Sequence, residues 1–232
     1  MPTLYLIPMV LAPDTQDSVL PPYIADTIRQ TKVFFVENIK TTRRYISSLK
    51  LGVVIDELTF HEMQKDMPVD DLFTLLSELD QDAGIISESG CPGVADPGAD
   101  LVEMAHQLHI PVKPLVGPSS ILLALMASGL NGQSFAFQGY LPITEIEREK
   151  KIKSLEFFAL QNKQTQLFIE TPYRNKQMFA TLLKVLKPDT RLGIACNITA
   201  EDEYIKTASI SWWRQQNGMP DLHKKPTIFM IL

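Results

Sequence analysis

The sequence predicts an α/β protein of two α/β domains with a cleft between them. Residues 1–116 are expected to carry a mostly parallel sheet and residues 117–232 a mixed one. Three observations predict this. Before residue 116, short apolar runs alternate with helical patterns of about ten residues, the arrangement of parallel βαβ units. Gly117-Pro118 then interrupts the pattern and opens an almost wholly apolar helix. After residue 190 the chain is strand-rich, as a mixed sheet requires.

In the first half the candidate strands are Thr3–Ile7, Val33–Val36, Val53–Ile55, Ala83–Ser87 and Val112–Leu115. Helical patterns lie between them at Pro22–Gln30, Thr42–Leu49, Asp70–Asp80 and Ala99–His109. In Asp71-Leu72-Phe73-Thr74-Leu75-Leu76-Ser77-Glu78-Leu79, for example, apolar positions recur at helical spacing. Ser119–Ser128 is apolar nearly all round and is expected to be buried, with Gly129 marking its end. Phe135–Gln138 reads as a short strand. Thr144–Phe158 reads as a charged helix in which Thr144 is the N-cap and Glu147 completes a capping box. Gln166–Glu170, Leu192–Cys196, Glu203–Ser209 and Thr227–Leu232 read as strands, and Asn175–Leu186 as a helix. No internal repeat and no low-complexity tract interrupts this order.

With 232 residues, 45% of them hydrophobic, the chain can bury a core without staples. Its two cysteines, Cys91 and Cys196, form no C-x-x-C, and scattered thiols suit a reducing cytosol. The first twelve residues lack a basic leader region, and no apolar run reaches the length of a membrane span. The expectation is a cytoplasmic protein with no membrane partner. A net charge of −5 argues against non-specific affinity for nucleic acid, though it leaves room for a local basic patch.

The most informative stretch is Gly84 to Gly98. An apolar strand, Ala83 to Ile86, runs into a loop dense in Ser, Gly, Pro and Asp, and a long amphipathic helix follows. Ligands of open α/β sheets sit beyond the carboxyl ends of the strands. Glycines at 84, 90, 93 and 98 permit close approach or positive φ, and Pro92 and Pro97 stiffen the loop. The segment reads as a rigid polar binding loop.

Other signatures are missing. There is no G-x-G, so the dinucleotide fingerprint is absent, and no G-x-x-x-x-G-K, H-E-x-x-H or G-x-S-x-G occurs. His106 and His109 stand at i, i+3, but no Cys or carboxylate supports a metal site there. Cys91 has no histidine near it in sequence to act as a base, so it reads as a small packing residue.

Ser87-Glu88-Ser89-Gly90-x-Pro92 followed by Asp96-Pro97-Gly98 resembles the S-D-A-G-x-P…D-P-G run of the tetrapyrrole-methylase superfamily, S-adenosylmethionine (SAM) methyltransferases without a Rossmann fold. Four more stretches match in order. Leu4 to Pro8 resembles the first strand. Pro114 to Ser120 with Ala124 to Leu130 resembles the P-G-P-[SC] turn and helix. Phe135 to Pro142, ending Gly139-Tyr140-Leu141-Pro142, resembles the G-[FY]-L-P element. Glu170-Thr171-Pro172-Tyr173-Arg174 resembles the E-S-x-[HY]-R turn. Together they cover nearly the whole chain. The similarity is greatest to the branch that methylates ribose 2′ oxygens of small-subunit ribosomal RNA.

The resemblance implies SAM in a cleft between the domains. It would lie on loops at Pro8, around Ser87, Glu88, Ser89, Gly90 and Pro92, at Gly117, Pro118, Ser119 and Ser120, and near Glu170, Thr171, Pro172 and Ile198. It also implies a homodimer and an acceptor in ribosomal RNA or the small ribosomal subunit. Backbone groups of Gly/Pro-rich loops can read adenine and ribose edges. A helix opening after Gly117 offers free N–H groups to polar ligand atoms.

The acceptor-side patterns have drifted. P-x-P-[IL]-G-N-L is here Pro8-Met9-Val10-Leu11-Ala12-Pro13-Asp14. E-D-T-R is Glu37-Asn38-Ile39-Lys40. R-E-L-T-K is Cys196-Asn197-Ile198-Thr199-Ala200, and the C-terminal K-G-E is Lys225-Pro226-Thr227. Glu37 is the candidate catalytic group, because a carboxylate in reach of a ribose hydroxyl helps remove its proton. The bland alternative is a solvated strand-end Glu, or a partner for Arg43 or Arg44. Arg174 either meets an acceptor phosphate or pairs locally. Lys40/Arg43/Arg44/Lys50 and Arg148/Lys150/Lys151/Lys153 are candidate RNA surfaces, but Glu145, Glu147 and Glu149 alternate with the second. Three readings therefore compete: methyl transfer to ribosomal RNA, methyl transfer to a tetrapyrrole or other small molecule, and a degenerate SAM-binding protein.

Overall fold

A computed structural model describes residues 1–63, 69–216 and 218–232. The chain forms two compact units, Met1–Ser119 and Ser120–Leu232.

In the first unit the elements run β1 (Leu4–Leu6), α1 (Gln16–Val19), α2 (Tyr23–Gln30), β2 (Val33–Val36), α3 (Ile39–Ser48), β3 (Thr59–Glu62), α4 (Val69–Ser77), β4 (Ala83–Ile86), α5 (Ala99–Gln107) and β5 (Val112–Pro114). The strands form one sheet in the order β3-β2-β4-β1-β5, every pair parallel. β2 and β4 are buried along their whole length, as expected for central strands covered on both faces. Successive side chains alternate between those faces. Phe35 and Ile85 pack with Leu76, Leu101 and Met104 of α4 and α5. Phe34, Val36 and Ile86 pack with Ile24, Ile28, Tyr45 and Ile46 of α2 and α3. Truncating such a Phe in a packed core costs about 3–5 kcal/mol.

The second unit begins with α6 (Ser120–Ser128) and continues β6 (Phe135–Tyr140), α7 (Glu145–Asn162), β7 (Thr165–Ile169), α8 (Asn175–Val185), β8 (Arg191–Cys196), β9 (Tyr204–Ser209), α9 (Ile210–Gln215) and β10 (Thr227–Ile231). Its sheet is mixed, in the order β6-β7-β10-β8-β9: β6 and β7 are parallel and the other pairs antiparallel. Phe168 and Phe229 stack at 5.9 Å and meet Ile152, Leu155 and Phe179 of α7 and α8. Trp213 of α9 closes this core, its Nε1–H donating to Leu192 O at 3.0 Å.

Several sequence expectations need correction. Val53–Ile55 is not a strand. After Gly52, at φ 72°, the chain enters a single tight turn, Ile55–Glu57, and the edge strand is Thr59–Glu62. Val53 and Ile55 bury against the core without joining the ladder. α3 begins three residues earlier than Thr42, because the Asn38 side chain caps it by accepting from Thr41 N at 3.0 Å. α6 is not buried all round: Leu122 and Met126 stay exposed. The capping box does not form, since the Thr144 hydroxyl bonds the Glu147 carboxylate rather than a backbone N–H. His109 lies beyond α5 at φ 58°, so it shares no helix face with His106. The short helices α1 and α9 were not anticipated. Among the described residues no helix is long and apolar enough to cross a membrane.

Candidate functional site

In the first unit three loops meet beyond the carboxyl ends of β1, β4 and β5. Met9 N donates to Gly90 O at 2.8 Å, joining the loop after β1 to the loop after β4. The Cys91 thiol lies 3.4 Å from Pro118 O and 3.8 Å from Gly117 O, joining the loops after β4 and β5. The Tyr45 hydroxyl reaches in from α3 and donates to Pro8 O at 3.1 Å. Pro8, Gly90, Gly117 and Pro118 are thus brought together, and Ser89, Pro92 and Ser119 lie on the same loops.

Two glycines show why the loops close so tightly. Gly90 has φ 69°, which favours glycine, and a Cβ there would meet Leu11 Cδ2 at 3.2 Å. A Cβ on Gly117 would overlap Pro8, 2.1 Å from its Cβ and 2.3 Å from its Cγ. Sequence reasoning leaves room for a ligand over Gly117, but at this point the neighbour is Pro8.

Beside these loops lies an acidic corner. Glu37, at the end of β2, accepts from Glu88 N at 2.9 Å through Oε2, and Glu88 Oε1 accepts from the Thr41 hydroxyl at 3.0 Å. Arg43 pairs with Asp56 rather than with Glu37, whose carboxylate is held by the loop after β4. Asp96 completes the corner, and its carboxyl is pushed up to about 6. Burial is the main cause and the Glu37 charge comes next, opposed in part by a hydrogen bond from buried Ser87. Burial, helped by Asp96, likewise pushes the Cys91 thiol up, away from a reactive thiolate. Glu37, Glu62, Asp100, Met63 and Leu72 contribute to a cleft of about 620 Å³ at this end of the sheet.

The second unit holds its own set. Glu170, buried, accepts through Oε1 from Thr171 N at 2.7 Å and from Arg174 Nη2 at 2.6 Å and Nε at 3.0 Å. Arg174 is therefore committed locally. Pro172 O accepts from Lys224 N at 3.2 Å. Ile198 is buried beside a hollow of about 330 Å³ formed with Leu123, Met126 and Ala127 of α6 and Ile205 of β9. Thr199 lines it in a left-handed conformation, φ 71°, with its N–H on Glu203 Oε2 at 2.8 Å. Its buried Oγ1 has no hydrogen-bond partner. Ser120 opens α6, whose Leu123, Met126 and Ala127 carry the hollow's apolar wall.

Sequence reasoning missed Thr199, Tyr45 and the charge state of Asp96. Asp96 stands in the D-P-G run, and its proximity to Glu37 is the signal that only the fold supplies. Arg148, proposed as part of a basic surface, is buried, with Nη1 donating to Ile143 O at 2.9 Å. Among the described residues no group of three or more His, Cys, Asp or Glu is placed to hold a metal ion.

Residues 20–211 match the family described as Tetrapyrrole (Corrin/Porphyrin) Methylases. The chain belongs to this family. It superimposes on the crystal structure of the methyltransferase CobJ with a TM-score of 0.61, covering 99% of this chain and 94% of that one at 14% identity. Among curated relatives it is 31% identical over 87% of its length to the ribosomal RNA small subunit methyltransferase I of Micromonospora olivasterospora. It is 30% identical over 78% to that of Vibrio cholerae. The chain spans about three-fifths of the length of these relatives, 61% and 60% respectively.

Proposed function

We propose that this tetrapyrrole methylase is a SAM-dependent methyltransferase, acting in the cytoplasm as a homodimer, and that its acceptor is a ribose 2′ oxygen of small-subunit ribosomal RNA. The observation that carries the reading is the meeting of the three loops after β1, β4 and β5, the loops on which the resemblance to the family rests. The similarity to ribosomal RNA small subunit methyltransferases I supports the acceptor.

The residues present suit the cofactor. Glu37, Glu88 and Asp96 offer carboxylates to a cation such as a sulfonium or an ammonium group. The hollow beside Ile198 offers apolar walls to a flat heterocycle. We assign the cofactor to Pro8, Ser87, Glu88, Ser89, Gly90, Pro92 and Gly117–Ser120, and count Glu170–Pro172 and Ile198 among the residues that bind it. Bound there, the cofactor supplies a methyl group already activated on sulfur.

The protein's own work is positioning, which can lower the barrier by several kcal/mol, and removal of one proton. Glu37 is assigned that proton. Its Oε2 is held by Glu88 N, and its Oε1 has no hydrogen-bond partner among the described residues. As the acceptor oxygen gains the methyl group, its hydrogen passes to this carboxylate.

A small-molecule acceptor is the second reading, favoured by the acidic lining of the 620 Å³ cleft, which does not suit phosphates. The test is transfer of labelled methyl from SAM to small ribosomal subunits and, in parallel, to small tetrapyrroles. Transfer to the subunits, lost in Glu37→Gln, supports the RNA reading. Transfer only to a small acceptor overturns it. No affinity for S-adenosylhomocysteine by calorimetry would overturn the methyltransferase reading itself.

A further inference from the structure

The sequence leaves the second basic cluster ambiguous, because glutamates alternate with its lysines. The fold answers most of that ambiguity, with Glu149 still feeling the Lys153 charge one turn on. Lys184 of α8 bonds Glu149 Oε1 at 2.7 Å and Glu145 Oε1 at 3.2 Å, so two of the three glutamates are answered from outside α7. From Lys150 to Lys163 the only carboxylate is Glu156, and it is 5% exposed. It is turned inward, accepting from Lys187 N at 2.7 Å and from the Thr190 hydroxyl. Lys150, Lys153 and Lys163 stay exposed with no ion pair among the described residues. Beside them two aromatic rings stand open: Phe157 is 59% and Phe158 47% exposed, in edge contact at 5.9 Å.

The order along the helix matters. At helical spacing Ile146, Lys150, Lys153, Phe157 and Leu160 fall on one stripe. Cations and apolar groups therefore share a stripe instead of occupying opposite faces. That pattern is wrong for a bilayer, which needs a continuous apolar face. It is also poor for a two-fold contact on this stripe, which would bring the lysines together with no exposed carboxylate from 150 onward to answer them. It matches a polymer that alternates anionic groups with flat apolar ones, one helical turn of about 5.4 Å separating each lysine from a ring or apolar neighbour.

We propose that the outward stripe of α7, together with Phe158 beside it, is a docking surface for a single-stranded segment of RNA, with bases stacked on Phe157 and Phe158 and phosphates on Lys150 and Lys153. The proposal rests on the RNA-acceptor reading and adds a surface made of none of the residues assigned to cofactor or acceptor.

The test is fluorescence anisotropy with a labelled ten-nucleotide single-stranded oligoadenylate across a salt series. It compares wild type, Phe157→Ala/Phe158→Ala and Lys150→Glu/Lys153→Glu. Each double variant is expected to bind on the order of tenfold or more weakly. The lysine variant should also lower the slope of log affinity against log salt by about 1.4, for two phosphates lost, and the phenylalanine variant should leave it unchanged. Both should keep the wild-type urea midpoint and S-adenosylhomocysteine affinity, since all four side chains are exposed. Wild-type affinity in both variants overturns the proposal, and so does a change of mass by light scattering, which makes the stripe a contact between copies. Binding to anionic phosphatidylserine vesicles without binding to RNA also overturns it. If ribosomal subunits are methylated equally by all three proteins, the acceptor reading stands and this surface falls. If RNA binds through α7 but receives no methyl group, the surface stands and the acceptor reading falls.

Discussion

Gly117 exists to make room for Pro8: a Cβ at position 117 would lie 2.1 Å from the Pro8 Cβ. The two residues lie on the loops that follow β5 and β1, so this contact holds together loops that carry the family resemblance. The conflict lies with a rigid ring next to backbone, which cannot swing aside.

Gly117→Ala is accordingly expected to destabilise the first unit by about 1–3 kcal/mol, the usual cost of overpacking. Adding Pro8→Gly, which removes the opposing atoms, should recover part of the loss. Urea unfolding of the two single variants and the double variant measures the coupling. Additive effects would show that the two positions act independently.

Asp96 makes stability depend on pH with a definite sign. Its carboxyl ionises near 6 in the folded chain and near the ordinary 3.8 when unfolded. Between those values the folded state holds more proton than the unfolded state, so stability falls as pH rises from about 4 to 6 and then levels. Asp96→Asn removes this dependence. Relative to wild type, its melting temperature should rise at pH 7–8, with no gain below pH 4. An equal shift at both ends of the range would contradict the assignment.

Thr199 offers a test that separates folding from binding. Its buried hydroxyl is unpartnered, and an unmet buried polar group costs about 1–3 kcal/mol. Thr199→Val keeps the shape and the branching at this left-handed position. The unliganded protein should gain stability, by about 1 kcal/mol. Affinity for S-adenosylhomocysteine should stay within about twofold, because the buried hydroxyl lies out of a ligand's reach. Calorimetry and thermal unfolding on the same samples give both numbers.

The Glu170–Arg174 pair predicts a structural role where an acceptor contact was one option. The Glu170 side chain is 1% exposed and that of Arg174 30%. Arg174→Ala strands a buried carboxylate and should cost about 2 kcal/mol, less than the ~3–5 of a fully buried pair because Arg174 keeps some water. Arg174→Lys should restore part of the stability. If Arg174 instead bound acceptor phosphate, its removal would raise KM for RNA and leave unfolding unchanged.

The alternation of apolar runs with ten-residue helical patterns was enough to read the first unit, because each buried strand and each amphipathic helix announces its period locally. β2 and β4 show this best, since every residue in them is apolar and every one is buried. The Gly/Pro/Ser/Asp loop from Ser87 to Gly98 was legible for the same reason. Its residue types state their own conformational needs. Where local signals conflicted, the reading failed. Val53–Ile55 has a strand's composition but packs its side chains without pairing its backbone. The Ile210–Gln215 helix carries two tryptophans and an isoleucine, which suggest a strand, yet Ser209 caps it by accepting from Trp212 N at 3.2 Å.

The sequence by itself determined the two kinds of sheet, the family and the loops that meet at one end of the first. Charge and contact across long separations were decided only by the tertiary structure. Glu145 and Glu149 look like companions of the α7 lysines until Lys184, 35 to 39 residues away, takes both. Arg148 sits among lysines in the sequence but turns into the interior, while its neighbours face water. Asp96 and Glu37 lie on different loops until the parallel sheet aligns the ends of β2 and β4 and makes one carboxylate raise the other. The physical reason is common to all three. Periodicity and turn chemistry act over a few residues and are written locally. The strength of a charge depends on which partner and how much water stand within a few ångströms, and folding alone settles that.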